Sequence, residues 1–278
     1  MEHPIWTYWH QGFESAPFLV KQCIRQLKHL HPGITIHLLD KDNVYDYAER
    51  VPVKEFTWSK MSLPHRSDLL RTQLLIKHGG VWVDPSVYCL LALQDWLPEY
   101  MENGLFFFQR PGKDRIISNW FIAAEKDNYF LKKLYGSLLE YWNEHDFRNL
   151  GQAKQSKTEY WCKRIINNRS LMLSQLWLTP LFTKVLRLYP YMIYHYMFYY
   201  LIRTDPKCKS IFENMPKVLA DGPVFVKRKG FDATVNENII QWIINSETPL
   251  FKLDWKTPIQ KLPQSSLIHS LLNNKLQK

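Results

Sequence analysis

Asp68 and Arg71 stand three residues apart in a stretch of helical periodicity. A carboxylate and a guanidinium therefore share one face, while Leu70 and Leu74 turn another toward the core. In isolation D-x-x-R reads as a local ion pair on a solvated helix, a common and weak interaction. The residues after it change that reading. The helix, expected from about Ser67 to His78, is stopped by Gly79-Gly80, and the short apolar run Val81-Trp82-Val83 then reads as a buried strand ending at Asp84. A reversal of that length returns Asp84 to the neighbourhood of the helix. The carboxyl ends of strands are where open α/β sheets bind ligands, so Asp68, Arg71 and Asp84 form a candidate ligand site.

The elements that would hold this site begin with a strand over Pro4 to Trp9 and an amphipathic helix after Pro17, in which Val20, Cys23, Ile24, Leu27 and Leu30 recur at helical spacing. Ile34 to Leu39 reads as a second strand and Val44 to Arg50 as a short helix. The first third is thus β-α-β-α-α-β, which predicts an α/β fold with a mostly parallel sheet. Further strands are expected at Leu105 to Gln109, Trp120 to Ala124, Val224 to Val226 and Leu250 to Trp255. Helices are expected at Tyr129 to Asn143, Leu171 to Leu188 and Asn236 to Asn245. The polar stretch Phe147 to Thr158 lacks periodicity and reads as a surface loop over a site. Leu188 to Ile202 carries no formal charge and is rich in Tyr, Phe and Met. It reads as a buried helix, with a membrane-interface segment as the alternative.

The runs Ser67-Asp68-Leu69-Leu70-Arg71 and Gly79-Gly80-Val81-Trp82-Val83-Asp84-Pro85-Ser86 resemble the SD-x-x-R … GG-x-x-x-D-x-D signature of the DxD-sugar-binding glycosyltransferases. Within that superfamily the chain is similar to the bacterial capsular polysaccharide synthesis proteins. Ile5 to Gly12 and Phe251 to Lys256 are similar as well, and the resemblance is strongest over residues 4 to 90. It implies a GT-A-like, Rossmann-type nucleotide-binding fold with a mainly helical addition. That fold would be a single domain over 1–278, with a donor-binding half over about 1–125 and acceptor-side additions over about 126–278. It also implies a glycosyltransferase that moves a sugar from a nucleotide-diphosphate donor, by family a UDP-sugar, to a surface polysaccharide or glycolipid, with retention of configuration.

Carried over residue by residue, the resemblance has Asp68 bind the donor's ribose or sugar and Arg71 contact the transferred sugar or diphosphate. Gly80 falls within the matched donor segment, and Asp84 stands for the first aspartate of D-x-D. Trp6 and Trp9 would border the nucleobase, since a base stacks on a flat apolar surface. Asn119, beside an expected strand, is a candidate catalytic-site contact, and Asp221-Gly222-Pro223 holds a comparable position. Ser86 replaces the second aspartate, and a hydroxyl is a much poorer ligand for Mn²⁺ or Mg²⁺ than a carboxylate. Three arrangements remain open. Asp84 holds the cation with the diphosphate and water, other side chains such as His269 complete the shell, or a Lys or Arg supplies the positive charge. The missing carboxylate also leaves a catalytically weakened nucleotide-sugar or carbohydrate-binding protein as the alternative function.

A net charge of +10 and an aromatic content of 15 % suit an anionic partner and a sugar site. No zinc pattern, RNP-like run or concentrated basic stripe accompanies the charge, so nucleic acid is not an expected partner. Cys23, Cys89, Cys162 and Cys208 lie far apart, which argues against a disulfide framework. With no signal-peptide pattern and no run of spanning length, a cytoplasmic body is expected, peripheral on the inner membrane face if it meets lipid at all.

Overall fold

The computed structural model describes residues 4–246 and 248–273. Its strands are β1 (Ile5–Tyr8), β2 (Ile36–Leu39), β3 (Gly80–Val83), β4 (Val87–Cys89), β5 (Leu105–Gly112), β6 (Arg115–Ala124) and β7 (Leu250–Lys252). The first helices are α1 (Phe18–Leu30), α2 (Glu55–Lys60), α3 (Leu63–His78) and α4 (Tyr129–Glu144). After them come α5 (Lys157–Ile166), α6 (Leu171–Ser174), α7 (Ile193–Thr204) and α8 (Pro206–Asn214), then α9 (Asp221–Lys229), α10 (Glu237–Asn245) and α11 (Leu267–Leu272).

The central sheet has 5 strands in the order β2-β1-β3-β6-β5. β2, β1 and β3 are parallel, and β6 runs antiparallel to both β3 and β5. The architecture is mixed α/β, as the alternation of elements predicts, but the sheet is parallel only across β2-β1-β3, and both pairings of β6 are antiparallel. Because β2, β1 and β3 point the same way, Leu39, Tyr8 and Val83 end on one edge. The register Val83↔Phe121 carries Asn119 and Trp120 to that same edge, where the Asp84 N–H donates to Trp120 O at 2.8 Å.

Both faces of the sheet are covered. Leu69, Leu70, Leu74 and Leu75 of α3 pack on one face with Leu131 and Leu134 of α4 and Phe198 of α7. Val20, Ile24 and Leu27 of α1 cover the other. β5 shows the alternation that serves both layers, with Phe107 facing α7 and Phe106 and Phe108 facing the α1 side. A second sheet, of 2 strands, pairs β4 with β7 and brings Leu250–Lys252 back onto the first third of the chain.

Gly79 and Gly80 make the turn from α3 into β3 at positive φ of 68° and 96°. A Cβ on Gly80 would stand 2.3 Å from Pro4 O, so only glycine lets β3 lie this close to the start of β1.

Several expectations change. α3 starts at Leu63 rather than near Ser67, because Pro64 sits in its first turn. Val44 to Arg50 shortens to a 3-10 turn over Val44–Asp46, and α2 was not anticipated. Val224 to Val226 lies inside α9 rather than in a strand. Pro223 sits near its start, Lys227, Arg228 and Lys229 fill its last turn, and Gly230 caps it at φ 97°. A short apolar run does not distinguish helix from strand, and here the flanking helix signals prevail.

The polar stretch after Phe147 is pinned at its start, where Phe147 and Leu150 are buried and Asn149 donates to Glu159 Oε1 and Tyr189 O. The uncharged run ending at Ile202 forms α7, which buries Tyr194, His195, Tyr196, Met197 and Phe198. It therefore offers no continuous membrane face. Among the described residues, no helix is long and apolar enough to cross a membrane.

Candidate active site

α3 runs against the parallel strands, so its first half lies at their carboxyl edge and places Ser67, Asp68 and Arg71 beside Asp84. The Arg71 guanidinium is the hub. Its Nε donates to Ser67 O at 3.2 Å and its Nη2 to Ser67 Oγ at 3.0 Å, while Nη1 donates to Asn119 O. Nη2 also lies 3.5 Å from Asp68 Oδ1 and Nη1 3.4 Å from Asp84 Oδ1, and the guanidinium sits 4.8 Å above the Trp82 ring. Asn119 closes the ring by donating from Nδ2 to Asp68 Oδ1 at 2.8 Å. The S-D-x-x-R spacing thus has a local reason: Ser67, one turn before Arg71, holds the guanidinium that joins the two carboxylates.

Asp84 is held on both oxygens. Trp82 Nε1 donates to Oδ1 at 2.9 Å, and Lys252 Nζ donates to Oδ2 at 2.9 Å. The same ammonium donates to Ser86 Oγ at 2.7 Å. Lys252 arrives through the β4–β7 register, in which it opposes Val87, and through the Leu253 N–H bond to Ser86 O at 2.9 Å.

The two carboxyls titrate in opposite directions. Burial pushes Asp68 up to about 7, against the pull of Arg71 and with a further push from Asp84. Burial would raise Asp84 too, but Lys252 and Arg71 outweigh it and hold that carboxyl below its usual value. Near neutral pH the edge therefore carries one firmly ionised carboxylate and one that holds its proton readily. Separation of paired carboxyls in this way is common where a site binds or transfers charge.

The structure brings Asp68, Arg71, Asp84, Ser86 and Asn119 together and sends three other candidates elsewhere. Trp6 is 2 % exposed, donates from Nε1 to Gly79 O at 2.9 Å and stacks on His37 at 4.2 Å. It is a core residue and does not border a nucleobase, because its side chain alternates away from the edge into the α3 layer. Gly80 opens β3, at the end opposite Asp84, where it lines a separate cleft of about 320 Å³ with Leu97 and Met101. Its role is the turn, not donor contact. His269 lies buried on α11 with Nε2 3.0 Å from Ile259 O, in the layer of Ile259, Leu267 and Leu271 rather than at the edge that holds Asp84. Arg71 is present but 6 % exposed, behind the carboxylates rather than facing solvent.

Trp9, at the carboxyl end of β1, stays half-buried and packs edge-on against Trp255 at 5.2 Å. Two residues were missed. Lys252 belongs to the Phe251 to Lys256 stretch, but nothing local in that stretch points to a partner 168 residues earlier. Tyr191 is 52 % exposed at the start of the α7 region, within electrostatic reach of Asp68, Arg71 and Asp84. Its position after Pro190 in an aromatic run gave no such signal.

A divalent cation does not fit this donor set. Asp84 is the one carboxylate of the D-x-S triplet, and its oxygens already accept from an indole N–H and an ammonium. Among the described residues, no group of three or more His, Cys, Asp or Glu side chains is placed to hold a metal. A cation on Asp84 Oδ2 would stand within about 4 Å of Lys252, where even unit charges repel by about 4 kcal/mol near a protein surface.

Asp84 follows the carboxyl end of β3 and Asp68 stands beside it on α3, at the edge where open α/β sheets bind ligands. A family model described as capsular polysaccharide synthesis protein matches residues 1–149 of the 278. The chain belongs to that family, which is one of glycosyltransferases. It is similar to the O-glycosyltransferase braB of Annulohypoxylon truncatum, 29% identical over 50% of this chain and 37% of the relative. It is also similar to the O-glycosyltransferase PaGT of Phomopsis amygdali, 27% identical over 51% of this chain and 39% of the relative. The glycosyltransferase afumC of Aspergillus fumigatus is 28% identical over 55% and 41%. In each alignment the chain thus spans about two fifths of the relative's length. A solved structure, the PaToxG glycosyltransferase, overlaps with a TM-score of 0.40 at 14% identity, covering 64% of this chain and 74% of that one.

Proposed function

We propose that this chain transfers one sugar from a nucleotide-diphosphate donor, in the first instance a UDP-sugar, to a hydroxyl of a surface polysaccharide or glycolipid. The observation that carries this reading is the gathering of Asp68, Arg71, Asp84 and Lys252 at the carboxyl edge of the parallel strands, in a member of a glycosyltransferase family. Asp68, with its ready proton, suits a sugar or ribose hydroxyl, and Trp9 with Trp255 offers an aromatic border for the base.

In the reaction, the bond from the anomeric carbon to the diphosphate oxygen breaks and its electron pair stays on the diphosphate. The acceptor oxygen bonds to the anomeric carbon on the same face, and its proton passes to the departing diphosphate oxygen, which retains configuration. Positive charge beside the diphosphate stabilises that transition state.

The test is incubation with a panel of UDP- and GDP-sugars, scored for nucleoside diphosphate release. Asp84→Asn keeps the side chain's shape but removes the carboxylate that holds the Lys252 ammonium in place, and is expected to lower release about a hundredfold. Full activity of that variant with the correct donor would remove this edge from the mechanism.

A cytoplasmic body resting on an anionic bilayer is part of the same reading. Support for it lies away from α7. The segment 157–187 exposes Trp161, Ile165, Met172, Leu181 and Val185 and carries six basic residues against one acidic. Co-sedimentation with anionic vesicles, weakened by salt, is the expected result, and an equal response to neutral vesicles would count against it.

A further inference from the structure

We propose that the Lys252 ammonium is the built-in cation of the diphosphate site and that nucleoside diphosphate is bound without a divalent metal. The inference rests on the donor-site reading above and concerns what supplies the positive charge there.

Three observations converge. First, Lys252 Nζ bridges Asp84 Oδ2 at 2.9 Å and Ser86 Oγ at 2.7 Å, so it occupies the space between the two side chains that a D-x-D pair would use for a cation. Second, the charges balance. An Asp–Asp pair holding a dication is neutral, and so is Asp84 holding one ammonium, because the change from carboxylate to Ser86 and from dication to Lys252 removes one charge of each sign. Third, Lys252 is the cation of the cluster that remains within reach of a ligand. Its side chain is 19 % exposed, against 6 % for Arg71, which is spent on Ser67, Asn119 and the two carboxylates. An ammonium with three donors, two of them on Asp84 and Ser86, keeps one for a phosphate oxygen.

The backbone makes this placement firm. β7 is stitched to β4 at Val87↔Lys252, Tyr88↔Phe251 and Cys89↔Leu250, and Phe251 and Leu253 are buried on either side of Lys252. The ammonium is thus set before the donor arrives and needs little reorganisation as negative charge develops on the leaving diphosphate.

The experiment measures UDP and GDP binding by calorimetry on the intact protein, in EDTA and in Mn²⁺. The wild type is expected to bind one of them with affinities within about twofold in the two conditions. Lys252→Met is expected to weaken binding at least tenfold and Lys252→Arg to retain most of it, with thermal melting confirming that each is folded. Lys252→Met combined with Ser86→Asp, which rebuilds the carboxylate pair, is expected to regain binding only with Mn²⁺. Binding by the wild type that needs Mn²⁺ and vanishes in EDTA overturns this inference alone. So does wild-type affinity in Lys252→Met. Failure of the wild type to bind either nucleotide in both conditions overturns the donor-site reading and this inference with it.

Discussion

Asp68 and Asp84 face different amino groups of the same buried guanidinium, at 3.5 and 3.4 Å, yet their protons are held in opposite ways. The difference comes from Lys252, which of the two carboxylates pairs with Asp84, and from the lower exposure of the Asp68 side chain, 10 % against 21 %. Folding raises Asp68 to about 7, so the native state binds a proton that the unfolded chain has already released. Stability from this group is fully present below the unfolded carboxyl value, near 4, and is lost as pH rises through about 7. Asp68→Asn removes that dependence. Its melting temperature relative to wild type is expected to rise between pH 5 and pH 8, and a difference that stays flat would show that Asp68 is ionised throughout.

Arg71 should matter through the carboxylates it joins. Arg71→Met takes away the cation that holds Asp68 down, so that carboxyl keeps its proton to higher pH, and it strips Ser67 and Asn119 O of their donor, a loss of about 1–3 kcal/mol. Arg71→Lys restores charge but lacks the planar fork that reaches Ser67, Asn119 and both carboxyls together. Urea denaturation should rank wild type above Lys and Lys above Met. Equal midpoints would reduce Arg71 to a surface-like ion pair.

Trp6 is expected to affect stability and leave ligand binding alone. Trp6→Phe loses ring volume in the α3 layer and strips Gly79 O of its 2.9 Å donor. About 2 kcal/mol should go, or roughly 4–8 °C in melting temperature. UDP affinity measured at a temperature where both forms are folded should be unchanged, and a tenfold loss would return Trp6 to the donor site.

Gly80→Ala puts a methyl 2.3 Å from Pro4 O in a backbone already at φ 96°. The backbones of β1 and β3 would have to part, at a cost on the order of 3 kcal/mol. A lowered urea midpoint is expected, and a variant as stable as wild type would mean that the β1–β3 junction yields easily.

The local part of the site could be read directly from the sequence. Asp68 and Arg71 share a face because helix geometry sets their spacing, and Asp84 comes after a glycine stop and a short apolar strand, both signals carried by neighbouring residues. The alternation of elements likewise announced an α/β sheet, since each strand and helix buries its own apolar pattern, though it predicted a mostly parallel sheet and did not foretell the antiparallel β6. Other features depended on partners far away in the chain. Trp6 and Trp9 are both tryptophans three residues apart, and only packing sends one into the core and leaves the other at the edge. Val224 to Val226 is apolar enough for a strand, and its place in α9 was decided by the caps around it. Lys252 shows the limit most clearly: its charge was visible in the sequence, but its place beside Asp84 and Ser86 depends on the register of two short strands, and strand pairing between distant segments leaves no periodic mark in either one.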